Sequence, residues 1–246
     1  MKKLSNKAVG TLRVHDVSIS LLKANDLVAE MIREKMKGRN ILLLNLVSSP
    51  GSGKTTLLEE TIKRLKDKIN IAVLEGDLET ERDADRIRKQ GVKALQIVTG
   101  GLCHLEAQMI DQALPSIGLD GVDILFIENV GNLVCPASYD LGEDYRITLV
   151  SCTEGDDKPK KYPSMFFTTD IMLVTKSDLL PYVPFSVEAV IRDAIEVNSE
   201  IQSFLLSSLK GDGMDEWCNW LLEKVAEKKG KMQMMLENNT NGTAIL

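Results

Sequence analysis

A glycine-rich segment at residues 48–56 has the residue types and spacing of a phosphate-binding loop. The segment follows an apolar stretch and opens a helical pattern, which is the setting in which a Walker A motif binds phosphate. In such a loop the backbone N–H groups surround the anion, Lys54 reaches the outer phosphates, and Thr55 offers a hydroxyl to Mg²⁺. Ser48 replaces the first glycine of the motif, and we expect this departure to be mild. The predicted nucleotide contacts come from Gly51, Ser52, Gly53, Lys54, Thr55 and Thr56.

Acidic residues follow two later apolar stretches, in Glu75-Gly-Asp77 and in Glu128-Asn-Val-Gly131. If both stretches are parallel strands, these acids lie at the edge of the sheet where ligands bind. Carboxylates there can hold Mg²⁺ or orient the attacking water, because phosphoryl transfer depends mainly on position and charge stabilisation. Either acid alone would be read as an ordinary loop residue. Together with the loop they predict magnesium ligands at Thr55, Asp77 and Glu128, and catalytic residues at Lys54, Asp77 and Glu128.

Residues 175–178 read Thr-Lys-Ser-Asp and match the guanine motif Asn-Lys-x-Asp at two of its specified positions. The Asp178 carboxylate can accept hydrogen bonds from N1–H and the 2-amino group of guanine. Adenine offers neither donor and would leave the charge unpaired, so the motif favours GTP over ATP. Thr175 lacks the amide of the usual asparagine, and we expect this change to loosen the segment. Further contacts to the base are predicted at Lys176, Ser207 and Ser208.

The chain has four cysteines, too few for a disulfide scaffold. Cys103 and His104 lie at the predicted start of a helix, and Cys135 follows the second acidic segment. The residues alone leave two interpretations of this set. One is a pair of buried thiols with a surface histidine, which is the preferred reading. The other is a site for Zn²⁺ or Ni²⁺, which both bind thiolate and imidazole ligands. Cys152 and Cys218 are interpreted as core thiols.

Short apolar runs alternate with amphipathic stretches from residue 41 onward, which indicates buried parallel strands joined by helices. The pattern predicts an α/β fold with a doubly wound, mostly parallel sheet, and the phosphate-binding loop makes it a P-loop NTPase fold. Strands are predicted at residues 41–47, 70–75, 94–98, 122–128, 147–151, 171–175 and 201–206. Helices are predicted at residues 54–66, 81–90, 103–114, 186–197 and 214–227.

The same patterns divide the chain into three parts. Residues 1–39 are predicted to form an N-terminal helical arm, residues 40–227 the P-loop GTPase domain, and residues 228–246 a flexible tail. The lysine runs at 158–161 and 228–231 are interpreted as solvated surface.

Composition excludes several classes of protein. A net charge of -6 argues against a nucleic-acid-binding surface, which needs clustered lysine and arginine. The longest apolar run, at residues 41–47, is far shorter than the roughly 20 residues that span a bilayer. No pattern of a signal peptide follows the N-terminal lysines. We therefore expect a cytoplasmic protein that binds neither nucleic acid nor membrane.

Several motifs occur in one order that resembles the HypB family, the nickel-insertion GTPases of [NiFe]-hydrogenase maturation. The resemblance covers roughly residues 40–227. The motifs that carry it, beside the P-loop, are Glu75-Gly-Asp-Leu-Glu-Thr-Glu-Arg-Asp-Ala-Asp85, Cys103-His104, Glu128-Asn-Val-Gly-Asn-Leu-Val-Cys-Pro136, Glu154-Gly-Asp-Asp-Lys-Pro159 and Lys176-Ser-Asp-Leu-Leu-Pro-Tyr182.

The resemblance implies that the P-loop NTPase fold is a G domain, and that the protein is a slow GTPase that uses GTP/GDP and Mg²⁺ and delivers nickel. It further implies a Ni²⁺ or Zn²⁺ site formed by Cys103, His104 and Cys135 at the subunit interface of a nucleotide- or metal-dependent homodimer. The implied partners are a HypA-type nickel chaperone and the hydrogenase large subunit. The chain lacks the Cys-x-x-Cys-Gly-Cys sequence of some members, and His15 and His104 are its only histidines. Metal storage is therefore not expected.

Three alternatives remain at this stage. The chain resembles other metallochaperone-class G proteins, of the urease or cobalamin-enzyme type, in its P-loop and base motif. A small-molecule kinase uses the same phosphate-binding loop, although it leaves the guanine motif unexplained. A binding scaffold that does not hydrolyse nucleotide is the third alternative.

Overall fold

The computed structural model describes residues 14–77 and 82–241, with side chains described for residues 20–77 and 83–230. Seven strands form one parallel sheet in the order β3-β2-β4-β1-β5-β6-β7. The strands are β1 Leu42–Ser48, β2 Ile71–Asp77, β3 Lys93–Val98, β4 Ile124–Glu128, β5 Tyr145–Ser151, β6 Ile171–Thr175 and β7 Gln202–Leu205.

Eight helices and two short 3₁₀ turns connect the strands within the described residues. The helices are α1 Val14–Lys37, α2 Lys54–Leu65, α3 Arg82–Arg88, α4 Ala107–Ile117, α5 Lys158–Lys161, α6 Pro163–Phe167, α7 Val187–Val197 and α8 Met214–Asn241. The 3₁₀ turns are Cys135–Ser138 and Ser177–Tyr182. Among these helices none has the length and apolar character needed to cross a membrane.

Helices cover both faces of the sheet, which explains why the central strands are apolar at nearly every position. On one face α2 and α8 bury Leu57 and Trp217 against Phe126 of β4. On the other face α1 and α4 bury Ile32 and Ile110. Every residue of β1, at the centre of the sheet, is buried. The edge strands β3 and β7 are partly exposed.

The predicted fold class is confirmed, and all seven strands lie within two residues of their predicted ends. The predicted helix at 103–114 is wrong at its start, because α4 begins only at Ala107. Two distant asparagines explain the difference. Asn25 accepts a hydrogen bond from the backbone N–H of Ala107, and Asn129 accepts one from Leu105. The Cys103-His104 pair therefore lies in a loop.

Helix α8 continues to Asn241, well beyond its predicted end at residue 227. The start of this extension is held by ion pairs, from Lys228 to Asp144 and from Lys229 to Asp123. The interpretation of 228–231 as solvated surface is therefore wrong for Lys228, whose side chain is 17% exposed, whereas the Lys229 side chain is 51% exposed. Flexibility of the tail stays a prediction, and residues 242–246 lie outside the described residues. In the predicted arm, α1 is helical as expected and packs on α4, while residues 1–13 lie outside the description.

Candidate functional site

The loop between β1 and α2 forms the floor of a cavity of about 590 Å³ at the carboxyl edge of the sheet. Gly51 and Gly53 have φ angles of 77° and 101°, a conformation that residues with a Cβ rarely adopt. A Cβ built on either glycine meets no atom within 4 Å, so the loop faces open space. The N-terminus of α2, starting at Lys54, adds its positive dipole to this space. This loop, which we call the phosphate cradle, is therefore open to an anion.

The side chain of Lys54 is hydrogen-bonded to that of Ser48. The Lys54 ammonium donates a hydrogen bond to Ser48 Oγ at 3.0 Å, and Ser48 is fully buried. The Ser48 hydroxyl in turn donates to the backbone carbonyl of Ser49 at 2.7 Å. The serine that replaces the motif's first glycine therefore holds the lysine at the edge of the cavity, a role that the sequence did not reveal.

Two buried carboxyl groups lie beside the cradle on neighbouring strands. Glu75 of β2 and Glu128 of β4 are paired in the sheet register and are 2% and 4% exposed. Thr55 Oγ1 donates a hydrogen bond to Glu128 at 2.8 Å. Burial, together with the charge of Glu128, raises the pKa of Glu75 to about 10. Burial likewise raises the pKa of Glu128.

This carboxyl group arrangement fits a divalent cation. Within the described residues, the Oε2 atom of each of these two glutamates is buried without a hydrogen-bond partner. Buried carboxylate oxygens beside a threonine hydroxyl are the kind of ligand that Mg²⁺ prefers. Asp77 lines the same cavity. The predicted magnesium ligands Thr55, Asp77 and Glu128 are therefore brought together, and Glu75 joins them.

The loop is braced from outside by two residues that follow β5. Glu154 accepts a hydrogen bond from Ser52 Oγ and forms an ion pair of 3.1 Å with Lys158. The Lys158 ammonium also donates to Ser49 Oγ at 3.1 Å, and its side chain is only 14% exposed. The interpretation of Lys158 as solvated surface is therefore wrong. No sequence signal marked this brace, because α5 begins only at Lys158 and Glu154 lies in the turn before it.

Arg86 of α3 is a second cation that sequence reasoning missed. It lines the cavity and is held by ion pairs with Glu59 at 2.6 Å and Asp83 at 3.0 Å. Its Nη2 atom lies 3.4 Å from the Thr56 hydroxyl. No sequence motif marked this residue, because its place beside the cradle depends on the packing of α3 against α2.

The predicted base-binding residues meet where β6 and β7 end. Ser207 Oγ donates a hydrogen bond to Asp178 Oδ1 at 2.5 Å, so the carboxylate is held in place. Ser208 is the next residue and is partly exposed. Lys176 lines the nucleotide cavity. Thr175 donates to the backbone carbonyl of Ser52 at 2.8 Å, which ties the segment to the cradle. The expected loosening of the segment is therefore not what the contacts show.

The structure brings Cys103, His104 and Cys135 together, with one ligand atom from each lying within 4.8 Å of the others. The Sγ atoms of Cys103 and Cys135 are 2.9 Å apart, and His104 Nδ1 lies 3.9 Å from Cys103 Sγ. Cys103 is exposed and Cys135 partly so, whereas His104 is 8% exposed and packs against the Tyr139 ring. The preferred interpretation, two buried thiols and a surface histidine, is therefore wrong: the thiols are accessible and the histidine is buried. Two accessible thiols beside an oriented imidazole suit a soft metal ion.

One short segment, residues 128–132, contacts both the cradle and the cysteine-histidine cluster. Gly131 packs so closely on Pro50 that an added Cβ would lie 3.0 Å from the Pro50 Cα. Asn132 Nδ2 donates to the backbone carbonyl of Cys103 at 3.2 Å. Asn129 accepts from the backbone N–H of Leu105, next to His104. A shift of this segment would reach both sites.

Comparison with known proteins agrees with this geometry. The family model of the CobW/HypB/UreG nucleotide-binding domain matches residues 42–204. The hydrogenase maturation factor HypB of Escherichia coli (strain K12) is 56% identical over 209 residues, covering 85% of this chain and 72% of the relative. The hydrogenase/urease maturation factor HypB of Helicobacter pylori (strain ATCC 700392 / 26695) is 45% identical over 218 residues, covering 86% and 89%.

Two solved structures are similar over most of the chain. HypB from Helicobacter pylori in complex with nickel has a TM-score of 0.78 at 46% identity and covers 83% of this chain and 96% of that one. HypB from Archaeoglobus fulgidus has a TM-score of 0.77 at 37% identity and covers 82% and 99%. On these matches and its site, the chain belongs to the HypB family of hydrogenase maturation factors, within the CobW/HypB/UreG class of nucleotide-binding proteins.

Proposed function

We propose that this chain is a GTP-hydrolysing metallochaperone that delivers nickel during [NiFe]-hydrogenase maturation, with its metal site coupled to the state of its nucleotide. Members of its family are P-loop GTPases named for hydrogenase maturation. The observation that carries the proposal is the contact of segment 128–132 with both the phosphate cradle and the Cys103, His104 and Cys135 cluster.

For GTP hydrolysis, the cradle N–H groups and Lys54 bind the phosphates, and the side chains of Thr55, Asp77 and Glu128 would hold Mg²⁺. Bound Mg²⁺ would neutralise charge on the phosphate oxygens. Asp178 selects the guanine base at the other end of the nucleotide. The work of these residues is positioning and charge stabilisation, which is what phosphoryl transfer needs.

Nickel is the cargo in this proposal. The related structure from Helicobacter pylori is a complex with nickel, which supports the choice of metal. Thiolate and imidazole ligands bind both Ni²⁺ and Zn²⁺, so the donors alone do not exclude zinc. Three protein ligands leave a coordination position through which an acceptor can attack the metal. That open position suits delivery better than storage.

The proposed assembly is a nucleotide- or metal-dependent homodimer with the metal at its interface. Exposed apolar side chains adjoin both cysteines of the cluster in the chain: Leu102 precedes Cys103 and Val134 precedes Cys135, and they are exposed by 40% and 63%. Apolar side chains grouped around a polar site are typical of an interface. A HypA-type nickel chaperone and the hydrogenase large subunit are the proposed partners. A cytoplasmic location is proposed because a reducing compartment keeps both thiols available for metal.

The test is the size of the purified protein, measured with and without nickel in the presence of GDP or a non-hydrolysable GTP analogue. We expect the wild type to dimerise in at least one of the loaded states and Cys103→Ala to lose the nickel-dependent part. GTP turnover measured on the same samples should disappear in Lys54→Ala. A protein that stays monomeric under all conditions, or a Lys54→Ala variant with normal turnover and maturation, would overturn the proposal.

A further inference from the structure

The turn that carries Cys135 is fastened to the sheet by one buried arginine. Arg146, the second residue of β5, donates through Nη1 to the backbone carbonyl of Ala137 at 3.3 Å and through Nη2 to that of Tyr139 at 2.8 Å. Cys135 is the first residue of this 3₁₀ turn, so both carbonyls follow it closely in the chain. A guanidinium holds its donors in one rigid plane. Its two bonds therefore fix the direction of the turn as well as its distance from the sheet.

The guanidinium is itself held from its other sides. Glu143 accepts a hydrogen bond from Arg146 Nε at 2.9 Å, and the side chains of this pair are only 7% and 6% exposed for Arg146 and Glu143. Arg146 Nη1 also donates to Thr168 Oγ1 at 2.8 Å. A buried ion pair is often no more stabilising than apolar residues of the same size, so net stability alone does not explain this one. The side chain has one fixed position from which it holds the turn.

The same arginine also reaches the histidine of the metal cluster. The Tyr139 ring, whose backbone carbonyl Arg146 holds, lies against the His104 imidazole with the ring centroids 4.0 Å apart and the planes inclined by 33°. His104 Nδ1 lies 3.9 Å from Cys103 Sγ. Contact with the tyrosine ring restricts the rotation that would swing this nitrogen away from the thiol. Arg146 thus acts on two of the three ligands, on Cys135 through the main chain and on His104 through Tyr139.

We propose that Arg146 is a positioning residue of the nickel site, which holds residues 135–139 so that the ligands are already arranged before the metal binds. This inference rests on the proposed function, because it requires nickel to bind at Cys103, His104 and Cys135. Ligands that are held in place lose less conformational freedom on binding, so the affinity for the metal is higher. Outer residues that orient ligands in this way typically contribute about 10-fold to 100-fold to metal affinity.

The experiment compares Arg146→Lys with Thr148→Val. Arg146→Lys keeps a positive charge beside Glu143, but one ammonium cannot reproduce the planar pair of bonds to the two carbonyls. Thr148→Val is the matched control, because Thr148 is a fully buried residue of the same strand whose hydroxyl pairs with Thr169 Oγ1 at 2.7 Å. If Arg146→Lys does not fold, the double variant Arg146→Gln with Glu143→Gln, which removes both charges of the pair, takes its place.

Nickel affinity of the full chain is measured by competition with a chromogenic chelator, and the thiolate-to-nickel charge-transfer absorption is recorded at saturation. GDP affinity without nickel and the melting temperature are measured on the same samples. Each nickel measurement is repeated in a Cys135→Ala background. A residue that acts through Cys135 matters less once this ligand is gone, whereas a general loss of stability has the same effect in both backgrounds.

We expect Arg146→Lys to weaken nickel binding by about tenfold or more in the wild-type background, with an altered charge-transfer band, and by about threefold or less in the Cys135→Ala background. GDP affinity should be unchanged. Thr148→Val should lower the melting temperature and keep the nickel affinity and the absorption of the wild type.

The positioning role is wrong if Arg146→Lys binds nickel like the wild type, loses the same factor in both backgrounds, or loses GDP affinity as well. It is also wrong if Thr148→Val weakens nickel binding equally. A wild-type protein that binds nickel no better than Cys135→Ala overturns the proposed function too.

Discussion

The side-chain carbonyl of Asn129 accepts a hydrogen bond from the backbone N–H of Leu105 at 3.2 Å. Asn129 directly follows Glu128, which accepts from the Thr55 hydroxyl of the cradle. Leu105 directly follows His104 of the metal cluster. Each of the two residues is thus one peptide bond from a different site. This bond is the contact through which we propose that the nucleotide and metal sites influence each other.

Removal of that bond should reduce the coupling between the sites. In Asn129→Ala the backbone N–H of Leu105 is no longer hydrogen-bonded to segment 128–132. We therefore expect the nickel affinities of the GDP state and of the GTP-analogue state to become more similar. Coupling free energies between sites are typically about 1–3 kcal/mol, so the nickel affinity ratio should fall by about tenfold. Metal titration in both nucleotide states measures the ratio. Asn198→Ala is the control, since Asn198 donates to Thr169 far from both sites. Equal ratios in Asn129→Ala and the wild type would remove Asn129 from the route.

The cysteines divide into two groups with different expected effects on nickel. Cys103→Ala and Cys135→Ala each remove a thiolate from the cluster, and we expect each to weaken nickel binding by at least about 10-fold to 100-fold. Cys218→Ala should leave nickel affinity unchanged, because Cys218 is buried against α2 and burial raises its thiol pKa to about 11. Competition with a chromogenic chelator measures all three. Equal affinity in the first two variants and the wild type would exclude the cluster as the nickel site.

Lys54 should be essential for hydrolysis, whereas another lysine of the same helix should not. Lys54→Ala removes the ammonium that the cradle aims at the phosphates, and we expect GTP turnover to fall by about 100-fold or more. Lys63 lies on α2 with its side chain 70% exposed, so Lys63→Ala should keep normal turnover. Phosphate release under saturating GTP gives both values. Comparable turnover in the two variants would contradict the catalytic role of Lys54.

Asp178 should decide which base is accepted. Asp178→Asn replaces the acceptor for guanine N1–H and the 2-amino group with an amide, and it should lose most of the affinity for GTP. Xanthine carries an oxygen in place of the 2-amino group, so the same variant should gain affinity for xanthosine triphosphate. Competition binding against labelled GDP tests both expectations. Ser207→Ala keeps the carboxylate and should show only a smaller loss of GTP affinity. Unchanged GTP affinity in Asp178→Asn would place the base elsewhere.

The free energy of unfolding of the magnesium-free and nucleotide-free protein should fall as the pH rises, because of Glu75. Its folded pKa of about 10 lies above the ordinary value of 4.5, because of burial and the charge of Glu128. The folded state therefore holds a proton that the unfolded state releases between these two values, and the stability that Glu75 contributes falls across that window. Glu75→Gln stays neutral at every pH. The variant should gain stability relative to the wild type from about pH 5 to about pH 9.

Urea unfolding of the magnesium-free and nucleotide-free protein measures this difference. A stability difference between Glu75→Gln and the wild type that stays constant over the pH range would show that Glu75 is ionised in the folded state. Glu30→Gln serves as the control, because Glu30 forms its ion pair with Arg33 at the protein surface, where the Glu30 side chain is 61% exposed. It should show no comparable trend.

Much of the fold could be predicted because its signals are local. Strand β1 is buried along its whole length and reads as one apolar run, and the cradle is marked by glycines in positive-φ positions. The clustering of Asp77 with Glu128 followed from the rule that parallel strands end at one edge. The resemblance to the HypB family was carried by whole motifs, and the comparisons confirm it.

The remainder depends on contacts between residues that are far apart in the chain. The start of α4 is displaced by Asn25, which lies 82 residues before Ala107. The brace of Lys158 on Ser49 spans 109 residues, and nothing in the lysine run indicated it. The burial of His104 beneath Tyr139 likewise arises from the turn at Cys135–Ser138 and its neighbours. No periodic pattern in the sequence reports such contacts.

The central claim is that nucleotide state and nickel binding are coupled, and one measurement tests it most directly. Nickel affinity of the wild-type protein is measured with GDP and with a non-hydrolysable GTP analogue. We predict that the two nickel affinities differ by about tenfold. Because coupling is reciprocal, nickel should change the ratio of the affinities for the GTP analogue and for GDP by the same factor. Identical nickel affinities in the two nucleotide states would contradict the account.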